Sequence, residues 1–141
     1  MGKTDDNLKE AFAGESQANR RYLFFADKAD QEGHKQVARL FRAAADAETV
    51  HARNHFKVMD GVKSTAENLK AAIGGEHYEF TAMYPDFIKQ AAAEDNAQAG
   101  RSFDLANQVE KIHHSLFQAA LSKIESGQVA EDAPFFVCQV C

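Results

Sequence analysis

Two copies of Glu-x-x-His, Glu48 to His51 and Glu110 to His113, lie 62 residues apart in this chain. A lone glutamate precedes each at nearly the same distance: Glu15 stands 33 positions before Glu48, and Glu76 stands 34 before Glu110. On a helix, positions i and i+3 project from one face, so each pair aims a carboxylate and an imidazole at one point. Two such halves facing each other would make a cage for two metal ions. Carboxylate oxygens with imidazole nitrogens suit iron or manganese, and the set lacks the thiolates of a structural zinc site. The order of divalent-metal affinities gives such a site no protection against zinc.

The elements that must carry these residues are helical. Two prolines and eight glycines punctuate 141 residues, and Ala, Glu, Gln, Lys and Leu outnumber the β-branched types, a helix-forming composition. A first helix is predicted from about Asp5 to Glu32, stopped by Gly33, with the apolar stripe Leu8, Phe12, Ala18, Tyr22, Phe25 and Ala29. A second runs from about Lys35 to Asp60, with Val37, Leu40, Phe41, Ala44 and Met59 inward and Gly61 as its stop. Ser64-Thr65-Ala66-Glu67 has the form of a capping box and starts a third helix, which continues past Gly74-Gly75 to Asp95. Pro85 lies inside that third helix. It removes one intrahelical bond, and the period of Phe80, Met83, Phe87 and Ile88 persists on both sides of it, so a kink or bulge is predicted there and not an end. The fourth helix spans about Gln98 to Ser126, with Phe103, Ala106, Val109, Phe117, Leu121 and Ile124 inward and Gly127 beyond it. The expected architecture is all-α: a four-helix bundle over residues 1–127. Residues 128–141 form a linker with a β-like Phe135-Phe136-Val137 run and a closing Cys138-x-x-Cys141.

Bulk properties narrow the partners. A formal charge of −5 and a pI near 5.6 argue against nucleic acid or an anionic membrane surface, which require clustered Lys and Arg. The N-terminus has no apolar leader and no run of about 18 apolar residues occurs, so a cytoplasmic protein is expected. The only two cysteines sit at ligand or redox spacing and cannot staple a core.

Within this frame Glu15, Glu48, Glu76 and Glu110 fall at mid-helix positions in or beside apolar stripes, where an unpaired carboxylate is costly to bury. One Glu-x-x-His alone would be unremarkable on a solvated helix. Two in register, each with its partner glutamate, match the formula of the ferritin-like dinuclear carboxylate bundles. His34, His55, His77 and His114 have no such context.

Three stretches carry a closer likeness: Ala11-Phe12-Ala13-Gly14-Glu15-Ser16-Gln17-Ala18, Gly75-Glu76-His77-Tyr78-Glu79 through Met83-Tyr84-Pro85, and Phe136-Val137-Cys138-Gln139-Val140-Cys141. Together they resemble rubrerythrins over nearly the whole chain. The resemblance implies a non-haem di-iron peroxidase that reduces hydrogen peroxide to water, with electrons arriving from a rubredoxin-type Fe(Cys)4 donor. It also implies roles: Glu48 and Glu110 bridge the irons, Glu15 with Glu79 or His51 holds a mobile iron, and Glu76 with His113 holds the other. Tyr22 and Tyr84 match tyrosines that hydrogen-bond ligand carboxylates, which fixes ligand orientation.

Two departures from the family pattern shape the expectation. Only the first Cys-x-x-Cys of a rubredoxin module, Cys138 and Cys141, is present, and two thiolates cannot complete an Fe(Cys)4 site. The link between the second and third helices, about Gly61 to Lys63, is too short to return along a bundle roughly 40 Å long. It therefore predicts a domain-swapped homodimer, the first two helices of one chain packing with the last two of another; an up-down-up-down monomer is the alternative. A ferroxidase or iron store using dioxygen is the rival function, and a metal-free helical interaction module is the rival from another class.

Overall fold

The computed structural model describes residues 2–128 and 132–139, so Cys141 lies outside the described residues. Five α-helices follow in order: α1 (Lys3–Gln31), α2 (Lys35–Val58), α3 (Thr65–Tyr78), α4 (Tyr84–Ala93) and α5 (Ala97–Glu125). A π-helical segment, Glu79–Met83, joins α3 to α4. All residues through this junction keep right-handed helical dihedrals, as at Glu79 (φ −61°, ψ −49°) and Tyr84 (φ −66°, ψ −40°), so α3, the π segment and α4 form one path. The expected disturbance at Pro85 is this segment. The wider π turn takes up the missing donor just before the proline, which enters the first turn of α4, where no intrahelical N–H bond is needed.

The chain divides into two compact units, Met1–Lys63 and Ser64–Cys141. In the first, α1 and α2 form an antiparallel hairpin whose buried seam is alanine: Ala26, Ala29, Ala38 and Ala45. Rings flank the seam, with Phe12 stacked on Phe56 at 4.8 Å between centroids and Phe41 edge-on to Phe25 at 5.5 Å. The inward assignment of Val37, Leu40, Phe25 and Ile124 is corrected: all four are exposed, Leu40 at 67%. Helices that meet through methyl groups bring their backbones close, and the residues one position away from Ala38 and two from it then point off the seam.

In the second unit α5 packs along both α3 and α4. At Gly100 α5 lies against α4, and an added methyl there would be 3.7 Å from Ala91 Cβ. Tyr84, Phe87 and Phe103 form one ring cluster on this interface, with Phe87–Phe103 centroids 5.4 Å apart. Residues 132–138 adopt no strand, against the β-like reading of Phe135-Phe136-Val137. These three side chains are largely exposed, and a strand needs a partner edge to satisfy its backbone.

Helix ends show why the connections are tight. After α1, α2, α4 and α5 one residue takes a left-handed conformation: Gly33 (φ 84°), Asp60 (φ 55°), Asp95 (φ 53°) and Gly127 (φ 70°). In each case the following N–H reaches back to a carbonyl of the last turn, as His34 to Ala29 at 2.8 Å and Gly61 to Phe56 at 2.9 Å. The stop after α2 is thus Asp60 and not Gly61. Gly61 is required for another reason: a side chain there would collide with the Phe56 ring, itself held by Phe12. The capping box at Ser64 is present, with Glu67 N–H donating to Ser64 Oγ at 3.3 Å and Ser64 N–H to Glu67 Oε2 at 3.1 Å. Among the described residues no helix is long and apolar enough to cross a membrane.

Candidate metal centre

Each unit gathers one group of two carboxylates and one imidazole. In the first, Glu15 of α1 meets Glu48 and His51 of α2; in the second, Glu76 of α3 meets Glu110 and His113 of α5. In both groups the three potential ligand atoms lie within 4.8 Å of one another. The i, i+3 pairing read from sequence is realised with the same atoms twice: His51 Nδ1 is 2.8 Å from Glu48 Oε2, and His113 Nδ1 is 2.7 Å from Glu110 Oε2.

Electrostatics show that each group is short of positive charge. Glu15 and Glu48 share a hydrogen bond that raises the Glu15 pKa; desolvation and the Glu48 charge raise it further. The same bond, with that from His51, lowers Glu48. Glu76 is raised by desolvation first, then by its hydrogen bond to Glu110 and the charges of Glu110 and Glu79. Its Oε2 is buried, lies 3.4 Å from His113 Nδ1, and has no hydrogen-bond partner. An orphaned buried carboxylate oxygen costs free energy unless a cation or donor reaches it. Carboxylates that share protons, an unsatisfied oxygen and a convergent imidazole nitrogen together fit a divalent metal with mixed oxygen and nitrogen preference, such as iron or manganese.

Glu79 is not one of the three converging residues. It is the first residue of the π segment, half-buried, and its charge acts on both Glu76 and Tyr84. Tyr84 lies in the same field: burial raises its hydroxyl pKa, and Glu110, Glu79 and Glu76 raise it further. Tyr22 is placed differently, among Phe25 and Phe41, and among the described residues no hydrogen bond joins it to Glu15 or Glu48. Cys138 is exposed.

Sequence reasoning passed over two features beside these groups. Asn19 and Thr49 bridge α1 to α2 one turn from Glu15, through partners 26 and 30 residues away that no helical spacing marks. His77, Phe80 and His114 form an aromatic triangle between α3 and α5, with centroids 5.3 to 5.7 Å apart.

A helical chain carrying two carboxylate–imidazole groups of this kind has the oxygen-rich donor chemistry of the helical carboxylate metalloproteins. The family model for rubrerythrin matches residues 6–121. The chain is 39% identical to the rubrerythrin of Porphyromonas gingivalis over 92% of its own length and 71% of that protein. It is 34% identical to rubrerythrin-2 of Clostridium acetobutylicum over 98% and 83%. Among solved structures, a partially reduced state of nigerythrin superposes with a TM-score of 0.54 at 34% identity, covering all of this chain and 75% of that one. The chain belongs to the rubrerythrin family, and its helices match the ferritin-like fold of that family. Membership places it with the di-iron oxidoreductases of oxidative-stress defence.

Proposed function

We propose that this chain is a peroxidase that reduces hydrogen peroxide to water at a pair of irons. The observation that carries the reading is the inequality of the two groups: Glu79, half-buried, acts on the Glu76 side as a third carboxylate beside Glu76 and Glu110, while the only carboxylate acting on Glu15 is Glu48. A symmetric iron store has no use for such an extra ligand, whereas an iron that changes ligand with oxidation state does. Bound irons would supply the two electrons that break the O–O bond.

The protein's own groups would then do the following. Glu15, Glu48 and His51 hold one side and Glu76, Glu110 and His113 the other, with Glu48 and Glu110 as bridges. Glu79 and His51 would serve as alternative ligands to one of the two ions. Tyr84, within the field of Glu76, Glu79 and Glu110, stays protonated and can donate a hydrogen bond to a carboxylate. Electrons come from a rubredoxin-type donor, and Cys138 with Cys141 supplies two of the four thiolates such a centre needs. We place the enzyme in the cytoplasm, with residues 1–127 as the di-iron domain.

The stopped-flow test compares oxidants. Diferrous protein is expected to be oxidised faster by a stoichiometric amount of peroxide than by air-saturating dioxygen. The reverse order would assign a ferroxidase instead.

The same reading requires both groups in one bundle. Residues 59–64 separate α2 from α3, and six extended residues reach about 20 Å. A return along α2, 24 residues or about 36 Å, is out of reach for that link. A domain-swapped homodimer satisfies it, each di-iron site taking Glu15, Glu48 and His51 from one chain and the remaining ligands from the other. Sedimentation of the iron-loaded protein should give a dimer, and a stable monomer with two bound irons would exclude the swap.

A further inference from the structure

Within the first unit, a side-chain network one turn from Glu15 and Glu48 ties α1 to α2. Asn19 lies four positions after Glu15, one turn along the same face of α1. Its Nδ2 donates to the Ala45 carbonyl at 2.7 Å and to Thr49 Oγ1 at 2.9 Å. Thr49 Oγ1 in turn donates to the Ala45 carbonyl at 3.2 Å, which closes a three-membered network on α2. A carbonyl only accepts, so the amide must present its nitrogen here. Thr49 follows Glu48 directly, and Ala45 precedes it by three residues, fully buried.

Elsewhere near this level the α1–α2 seam is alanine and aromatic packing. Such packing resists separation but is weakly directional, so it allows small sliding and rotation. Apart from the Glu15–Glu48 contact itself, the ion pairs between these helices, Arg42 to Asp27 and Asp30 and Lys35 to Asp30, lie at the turn end of the hairpin.

Among the described residues the second unit shows no counterpart. The residue four after Glu76 is Phe80, which meets the His114 ring at 5.3 Å. The residue three before Glu110 is Asn107, whose Oδ1 is buried and unpartnered. The directional tie is thus a property of one group only.

We infer that Asn19 is a positioning residue for the Glu15–Glu48–His51 group, acting through Ala45 and Thr49 to set the register in which the two carboxylates receive a metal ion. The inference rests on the di-iron reading above. It needs no contact between Asn19 and the metal.

The test is Co(II) titration of the full-length protein at neutral pH, followed by its visible d–d absorption, with helix content monitored by circular dichroism. Asn19→Leu keeps the volume and removes the donors; it should weaken Co(II) binding about tenfold and change the d–d band. Thr49→Val should act in the same direction, and Thr49→Ser, which keeps the hydroxyl, should restore the parental isotherm and spectrum. Parental isotherms and bands in both Asn19→Leu and Thr49→Val would overturn the inference. So would Thr49→Ser as impaired as Thr49→Val, because the effect would then follow packing and not the hydroxyl. Should Asn19→Leu fail to fold, the Thr49 pair decides. A parent that takes up no Co(II) would overturn the di-iron reading together with this one, whereas a parent that binds beside unaffected variants overturns only this one.

Discussion

Glu110→Ala will fold and lose tight metal binding. Substitution of an outer-shell partner typically costs 10- to 100-fold in metal affinity, and loss of a direct carboxylate ligand should exceed about 100-fold. The discriminating part is the metal-free protein. Glu110 sits against Glu76 as a hydrogen-bond partner and a like charge, and both raise the Glu76 pKa. Without Glu110, those two contributions vanish and only desolvation and Glu79 keep the Glu76 carboxyl raised. The metal-free variant should therefore melt no lower than the metal-free parent, while the iron-loaded variant melts well below the iron-loaded parent. A residue that merely packed would lower both. Glu125→Ala, which breaks only the exposed ion pair with Lys70 at 2.9 Å, serves as the control and should alter neither metal content nor affinity. Elemental analysis after desalting against a chelator measures the outcome, and an unchanged metal content in Glu110→Ala would remove Glu110 from the ligand set.

Why Glu110 could be named from sequence while Asn19 could not is a matter of what repeats. Glu48, His51, Glu110 and His113 announce themselves because ligation demands two residue types at one helical spacing, and the chain repeats that demand. The helix ends were nearly as legible: Gly33 and Gly127 sit in the left-handed conformation their composition suggests. Asp60 and Asp95 take the same conformation without glycine, and nothing local distinguishes them from aspartates in a helix. Pro85 gave the disturbance in the third helix but not its form, since a proline permits a kink or a π turn equally. The error at Val37 and Leu40 came from hydrophobicity. A periodic stripe reports which face is apolar, but the seam of an alanine-packed hairpin lies where side chains are smallest, and Ala38 and Ala45 carry little hydrophobic signal. Asn19 was hidden for a related reason: its partners are a backbone carbonyl and a hydroxyl 26 and 30 residues away, which no spacing rule connects.

Above pH 4.5 the metal-free protein should lose stability as pH rises, while the metal-loaded protein stays nearly level. Two carboxyls, Glu15 and Glu76, have folded pKa values above the ordinary 4.5; for Glu15 the first cause is its hydrogen bond to Glu48, and for Glu76 it is desolvation. A group raised on folding contributes stability that is fully present below its unfolded value and is lost as pH rises through its folded value. Glu48 is lowered, chiefly by its bond to Glu15, so its contribution is present above 4.5 and fades only as pH falls through its folded value. Asp30, lowered by Arg42, behaves in the same way below 3.8. Just above pH 4.5 the raised pair therefore governs these contributions, and metal-free protein should lose stability as pH rises. A metal ion demands ionised carboxylates, so its binding displaces the protons that Glu15 and Glu76 hold. Each proton displaced makes the apparent affinity rise about tenfold per pH unit until the folded pKa is passed. Since a ligand at 100 times its dissociation constant stabilises a fold by about 2.7 kcal/mol, the melting-temperature gap between loaded and chelated protein should widen with pH and then level off. Thermal melts from pH 4.5 upward, with Mn(II) or with chelator at constant ionic strength, measure that gap. If the gap stays flat across the window, Glu15 and Glu76 are not giving up protons to the metal, and the two groups do not act as its ligands.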